Sequence, residues 1–489
     1  MRVALAAAAV CLAVPAAAWA QAAPPAAPTT EELAARAEAL EAQVKALQAE
    51  IDELKGQMVR NAPAPAAGTT SKGVPQQEDK KAGLSFKPKG FVQFDAGYVS
   101  TPGPERSGVV GGLDYADLGW NSRARRIVIG AEGALGGGFG YNVELNFAQG
   151  IVDYEDILLT WQAKGSPLQI RLGNMYPLSS LETMTSSRLT SFMERAAFTD
   201  AFGYSRRLGA AVALLDPKDD RYTLTAGLFG QGINDARFNR TGWQASLRGT
   251  LAPKLGDARL HAGASFQHRV APRDAQNIRY RAHPFTQVTD QRFVDSGPIA
   301  ADGDDVAGLE LGAIAGPLHL AAEAQQAWVR GYRAGKAFGP NDGAGGGLFY
   351  GGNPAFRSAY VEVGYYLTGE SRGYKNGRWD RPKVLRPMGD GGFGALQVNA
   401  RLDWLDLSDR VGGGAALGPP DFVNGGRQLG YQLSLIWNPI DYVRFQAQYS
   451  RAAFAGGPRA ATVAPGSSAP LDERSFDVDG VALRAQVEF

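Results

Sequence analysis

Residues 396–404 read Leu-Gln-Val-Asn-Ala-Arg-Leu-Asp-Trp, so Leu396, Val398, Ala400, Leu402 and Trp404 alternate with Gln397, Asn399, Arg401 and Asp403. A period of two places the two sets on opposite faces of a β-strand, one apolar and one polar. The same texture recurs at Tyr141–Phe147 and at Val481–Phe489, where Leu483, Ala485 and Val487 alternate with Arg484, Gln486 and Glu488. From about residue 84 onward, sixteen such segments begin near 86, 121, 139, 154, 167, 206, 221, 241, 258, 305, 317, 357, 395, 428, 440 and 475. An even number of ten-residue amphipathic strands is what a closed antiparallel membrane barrel needs. A secreted sandwich or propeller would share the alternation. It would not place Arg, Glu, Gln and Asn in mid-strand on nearly every segment, as a wet lumen does.

The expected fold is therefore all-β: a 16-stranded antiparallel transmembrane β-barrel over residues 84–489, preceded by a short α-helical coiled coil. Phe94, Tyr98, Trp161, Trp243, Trp404, Trp437 and Tyr449 fall where interface girdles belong. Short connections (214–222, 437–442) contrast with long ones at 174–205, 269–304, 331–355, 369–393 and 452–474. That contrast separates periplasmic turns from extracellular loops.

The 489 residues hold 50 Lys plus Arg against 49 Asp plus Glu, which gives no bulk excess for a nucleic-acid partner. Arg2, the Ala/Val/Leu run and Ala18-Trp19-Ala20 read as a secretory signal over 1–20. The one cysteine, Cys11, lies within that leader, so the exported part is held without disulfides. A Pro/Ala-rich stretch (21–30) leads into 31–60. There Leu33, Ala37, Leu40, Val44, Leu47, Ile51, Leu54 and Met58 form a heptad seam, read as a parallel self-associating coil on the periplasmic side. Residues 61–83, rich in Pro, Ala and Gly, read as a flexible tether.

The terminal Phe489, preceded by alternating Val487, Ala485 and Leu483, resembles the last-strand signal by which barrel-assembly machinery recognises its clients. With Arg125-Arg126 opening the second strand, Asp156 leading the fourth, Leu181-Glu182-x-x-Thr185-Ser186-Ser187-Arg188 and Phe192-Met193-Glu194-Arg195, the chain resembles the phosphate-selective porin O/P family. The resemblance implies a homotrimeric outer-membrane channel whose loop after strand five folds inward, so that 174–205 forms the constriction. It also implies passive diffusion of small anions, phosphate-type oxyanions first; outer-membrane lipid and lipopolysaccharide are the other expected partners. The expected anion pathway is Arg125, Arg126, Asp156, Arg171, Ser186, Ser187, Arg188, Glu194, Arg195, Arg206 and Arg207. Hydroxyls and guanidinium groups are the donors that replace an anion's water. Arg188 is favoured for ion contact, while Arg195 divides between ion contact and pairing with the acids. A basic cluster at 269–292 (Arg269, Arg273, Arg279, Arg281, Arg292) reads as an external loop that either concentrates anions or contacts lipopolysaccharide phosphates.

Other readings are a dicarboxylate porin, a sugar porin, and an envelope tether built from coil and barrel. An enzyme is not expected, because His261, His268, His283 and His319 form no metal or Ser/His motif; no cofactor or metal is expected either. Deleting Phe489 should lower the yield in the outer-membrane fraction while leaving assembled barrels unchanged in fold. Normal insertion of the deletion would sink the assembly-signal reading.

Overall fold

The computed structural model describes residues 45, 77–79, 83–104, 106–233, 242–272, 277–331, 353–409 and 423–489. The expected leader, the coil (apart from the helical Lys45) and nearly all of the tether lie outside them. Sixteen long strands follow one another: β1 Leu84–Val99, β2 Gly119–Gly136, β3 Phe139–Asn146, β4 Asp153–Trp161, β5 Leu168–Met175, β6 Arg207–Leu215, β7 Tyr222–Phe229 and β8 Trp243–Leu251. The second half is β9 Ala258–Val270, β10 Gly303–Ala315, β11 Leu318–Arg330, β12 Ala355–Tyr366, β13 Ala395–Asp409, β14 Val423–Ile440, β15 Val443–Ala455 and β16 Ser475–Glu488. Each pairs antiparallel with its neighbours, and β16 returns to β1 in the register Phe91↔Glu488 to Val99↔Gly480, which closes the barrel. All sixteen expected strands are present.

The two faces are inverted relative to a soluble protein. Leu309, Leu311 and Leu483 are 65%, 61% and 58% exposed, whereas the intervening Glu310 and neighbouring Arg484 are 1% and 3% exposed. Apolar side chains thus meet hydrocarbon and the polar row points inward, which excludes the sandwich and propeller. At the seam, the N–H and C=O of Gly90 and Phe489 exchange hydrogen bonds of 3.0 Å. A Cβ on Gly90 would lie 2.5 Å from the Phe489 ring, so the glycine lets that ring cover the joint.

Two sequence expectations are corrected. First, the strand order places the connection after β12, residues 367–394, at the end of the barrel that carries the tight turns 137–138, 316–317 and 441–442. It is long, yet it is no extracellular loop. It enters the lumen from the turn end: Trp379 N–H donates to Thr185 Oγ1 (3.2 Å) and Arg372 donates to Ser191 Oγ and the Leu189 carbonyl (2.6 Å each). Second, the connection after β9 does not stand outside as a basic loop. Its Tyr280, Phe285, Val288 and Phe293 are buried in one cluster with Phe198, Phe202 and Tyr204 of the loop after β5. Three of its arginines are tied to acids, Arg269 to Asp304, Arg279 to Asp295 and Arg292 to Asp200; Arg281 is exposed, and Arg273 lies outside the described residues.

The inward-facing Gly430 of β14 leaves room for this packing, since a Cβ there would meet the Phe285 ring at 2.1 Å. Phe285 is pinned by its carbonyl, which accepts from Gln448 Nε2 (3.1 Å). Gly430→Val should therefore lower barrel stability by about 1–3 kcal/mol through overpacking. It should also make 277–302 more protease-sensitive. Unchanged thermal unfolding and protection would show that the ring relaxes freely.

Candidate functional site

The loop between β5 and β6 crosses the lumen and is held by the far wall through its backbone. Leu181 and Glu182 N–H groups donate to the Glu323 carboxylate (3.0 and 2.8 Å), and Ala197 N–H to Asp403 Oδ2 (3.1 Å). In the other direction, Arg444 and Gln486 donate to the Arg188 carbonyl (3.0 and 3.3 Å), Ser434 and Gln446 to that of Ser191 (2.6 and 3.1 Å), and Arg484 to that of Met193 (2.6 Å). Arg401 spans Glu182 (2.8 Å) and Glu362 (2.5 Å), with Phe192 and Tyr360 on its faces at 4.5 and 4.7 Å. The loop is thereby a fixed part of the passage.

The opposite wall, β1 to β5, carries the charged lining, and two β-bulges aim it. In the β1–β2 ladder Gln93 faces Arg126 and Phe94 faces Ala124, so Arg125 is an extra residue. Without that bulge two consecutive arginines would point to opposite faces. Here Arg125 Nε and Nη2 make a bidentate pair with Glu194 (2.9 Å each), and Arg126 Nη1 donates to Gln93 Oε1 (3.0 Å). In the β3–β4 ladder Val143 faces Ile157 and Leu145 faces Tyr154, leaving Glu155 and Asp156 together opposite Glu144. Arg206 takes both, at 2.5 Å to Asp156 Oδ1 and through a close ion pair to Glu155.

Three chambers of about 800, 170 and 260 Å³ lie between loop and wall, and Tyr176 lines them all. The guanidinium groups of Arg195 (5.4 Å) and Arg206 (4.3 Å) lie over its ring, and this point shared by the chambers is called the neck here. Burial would raise the Tyr176 hydroxyl, yet Arg206 and Arg195 hold it below its ordinary value.

The structure brings most of the expected pathway together. Arg125 and Arg126 line the two chambers on the loop side; they sit mid-strand, since β2 opens at Gly119. Asp156, Ser186, Ser187, Arg188, Arg195 and Arg206 line the chamber toward the turn end, and Glu194 the smallest one. Arg188 is paired with Glu488 (3.0 Å), bonds Ser186 Oγ (3.2 Å) and lies over the Phe91 ring. Arg195 makes no pair with Glu194; it donates to the carbonyls of Glu182 (3.0 Å) and Thr185 (2.7 Å). Arg171 bonds Gln169 (2.6 Å) and Arg207 the Gly230 carbonyl (3.2 Å), and neither lines these chambers. Lys89, Glu155, Tyr176 and Arg378 were not singled out in the sequence. Inward parity on β1 marks Lys89, whereas Arg378 arrives on the turn-end connection and has no local signal.

Among the described residues, the lining carboxylates Glu132, Glu144, Glu155, Asp156 and Glu194 each have Lys or Arg at ion-pair distance. Arg126, Arg195 and Arg378 line the same chambers, and no carboxylate among the described residues pairs with any of them. Asp153 is exposed at the loop-side end of β4, and Asp380 accepts the Arg381 N–H (2.9 Å).

A closed membrane barrel narrowed by its own loops to a charged passage is the architecture of an outer-membrane porin. The chain belongs to the family described as phosphate-selective porin O and P, whose sequence profile it matches over residues 113–489. An uncharacterized protein of Caulobacter vibrioides is 33% identical over 418 residues, covering 83% of this chain and 74% of that one. Solved structures with a similar fold include an anion-selective porin from Comamonas acidovorans (10% identity, TM-score 0.46, 83% of this chain and all of that one). Pseudomonas putida OprB is another (9% identity, TM-score 0.49, 84% and 95% covered). The protein is an outer-membrane channel.

Glu194 closes the network around the neck. Burial would raise its carboxyl, but Arg125 and Arg484 outweigh that and hold it well below the usual carboxylate range. Its contribution to stability is therefore full above the unfolded value of about 4.3 and is lost as pH falls below it. Glu194→Gln leaves two buried guanidinium groups short of a partner. It should cost about 3–5 kcal/mol, read as a lower unfolding temperature at pH 7, with a smaller deficit at acid pH. A variant as stable as the parent at both pH values would mean that Asp95 alone satisfies Arg484.

Proposed function

We propose that the protein is a channel for passive diffusion of small anions, phosphate-type oxyanions among them, and that it works as a homotrimer with the 31–60 coil on the periplasmic side. The observation that carries the anion reading is a row of guanidinium groups with no carboxylate at ion-pair distance among the described residues, Arg126 before the neck, Arg195 at it and Arg378 beyond it. Paired cations contribute little net field to a passing ion, because their acids sit within one ion diameter. Arg126 and Arg195 keep theirs. At about 4 Å and an effective dielectric near 20 one such group is worth roughly 4 kcal/mol to a unit anion, and about 1 in bulk water. Three at successive depths attract without trapping, as conduction requires. Ser186 and Ser187 beside the lower chamber add neutral donors.

A reversal-potential measurement across a planar bilayer with a salt gradient tests this. The unmodified channel should favour chloride over potassium. Arg126→Gln should reduce that ratio several-fold and leave every ion pair intact. Arg279→Gln, at a half-exposed site paired with Asp295, should change it little. Cation preference in the unmodified channel, or equal effects at both positions, would overturn the assignment.

A further inference from the structure

The turn-end connection after β12 has a second half that the passage does not use. Residues 381–394 leave the lumen and fold over the rim beside the β14–β15 turn. Val384 N–H donates to Asp441 Oδ1 (3.0 Å), and Arg381 bonds the Asp441 carbonyl and lies over the Tyr442 ring. The tip closes on itself, with Gly394 N–H donating to the Arg386 carbonyl (2.8 Å) and Gly392 N–H to that of Pro387 (3.1 Å). This small lobe exposes Leu385, Met388 and Phe393 by 57%, 49% and 58%. A rim loop bathed in water has no reason to present three large apolar side chains together.

Phe393 shows where they belong. Its ring stacks on Trp437 at 5.5 Å, and Trp437 stacks in turn on Phe445 at 5.6 Å. Trp437 Nε1 donates to the Phe393 carbonyl (2.8 Å), which fixes the lobe to the wall. Trp437 and Phe445 are a cross-strand pair on the outward face, in line with the exposed Leu435, Leu433 and Tyr449, so the lobe continues the hydrocarbon-facing surface of the barrel. Exposed Tyr442 and Ile440 flank it at the same level. Aromatic side chains at this depth mark the boundary between acyl chains and headgroups. Lys383 and Arg386 are both exposed, and no carboxylate among the described residues pairs with either. In residues 383–394 the one acid is Asp390.

From this continuity and this charge we infer that the 383–394 lobe is a docking surface for anionic phospholipid of the periplasmic leaflet. Leu385, Met388 and Phe393 dip among the first acyl carbons, and Lys383 and Arg386 hold the phosphate. The turn end faces the periplasm in outer-membrane barrels, so the leaflet it meets is phospholipid. The inference rests on the outer surface alone and is independent of which solute permeates.

The full chain is used, with Cys11→Ser so that an introduced cysteine is unique. Met388→Cys carries a polarity-sensitive fluorophore, and Lys164→Cys, exposed in the 162–167 turn at the same end, is the control. Barrels are reconstituted into phosphatidylcholine vesicles with or without phosphatidylglycerol, and their conductance confirms assembly. Brominated acyl chains should quench the Met388 probe several-fold more than the control, with aqueous iodide showing the reverse. Brominated phosphatidylglycerol should quench it more than brominated phosphatidylcholine at equal content. Lys383→Gln with Arg386→Gln should erase that lipid preference and keep the bromine quenching. Iodide reaching both probes equally would place the lobe in water and overturn the inference. Shielding from both quenchers, with cross-linking of Met388→Cys between copies, would assign the surface to a second chain instead. Equal quenching by the two brominated lipids would refute recognition of the anionic headgroup.

Discussion

Hydrocarbon offers no partner for a backbone N–H or C=O, and the closed ladder that answers this constraint determines everything else in the molecule. The seam between Phe91–Val99 and Gly480–Glu488 removes the last free edge. Once the ladder is closed, each strand has one face in lipid and one in the lumen, and the period-two pattern can no longer slip by a residue without burying arginine in acyl chains. The fixed register then delivers a dense polar row to the inside. Gln93, Asp95, Arg248, Glu310, Glu323, Arg401, Asp403 and Arg484 are all at most 5% exposed. A lumen so lined has to satisfy its own groups.

It does so with loop backbone. Carboxylates of β11 and β13 accept N–H groups at the starts of the two short helices of the β5–β6 loop, and arginine, glutamine and serine of β14 to β16 donate to its carbonyls. A lone loop crossing a pore would lose its backbone order, since short segments pay the full cost of fixing their dihedrals. Here about a dozen hydrogen bonds to rigid strands supply that order, each worth roughly 1 kcal/mol and more where a charge takes part. The same wall also receives the turn-end connection, whose Arg372 and Trp379 touch the loop directly. Two insertions from opposite ends thus brace each other.

The strands were legible because their signal is local: sixteen alternating segments, each readable alone. The position of the 367–394 connection was legible too, but only by counting. A connection that follows an even-numbered strand must sit at the end where the chain began, and its length argued the other way because lumenal insertions at the turn end are long for their own reason. The inward folding of the β9–β10 connection was readable in the Phe, Val and Ile of 278–299 more than in its arginines. The site was legible in composition and not in pairing. Arg195 and Glu194 are adjacent in sequence, yet the backbone between them turns Glu194 to Arg125 and Arg195 to two carbonyls. Nothing within a few residues of Glu194 announces a partner 69 positions away.

The bulges explain why charge counting fails as a guide to selectivity. By parity alone one of Arg125 and Arg126 would face lipid, and so would one of Glu155 and Asp156. An extra residue in each strand brings all four inside, and they arrive as two like-charged pairs on neighbouring parts of one wall. Each pair then recruits an opposite charge from the crossing loop or its end, Glu194 for Arg125 and Arg206 for the two acids. Most of the lumenal charge is consumed in holding the loop at its depth. What an ion meets is the remainder, and a remainder depends on which groups of either sign lack a full counter-charge at about 4 Å, carboxylates that share one cation included, and not on how many arginines the chain contains. One residue inserted into or removed from β2 would change that remainder more than any exchange of arginine for lysine at the mouth.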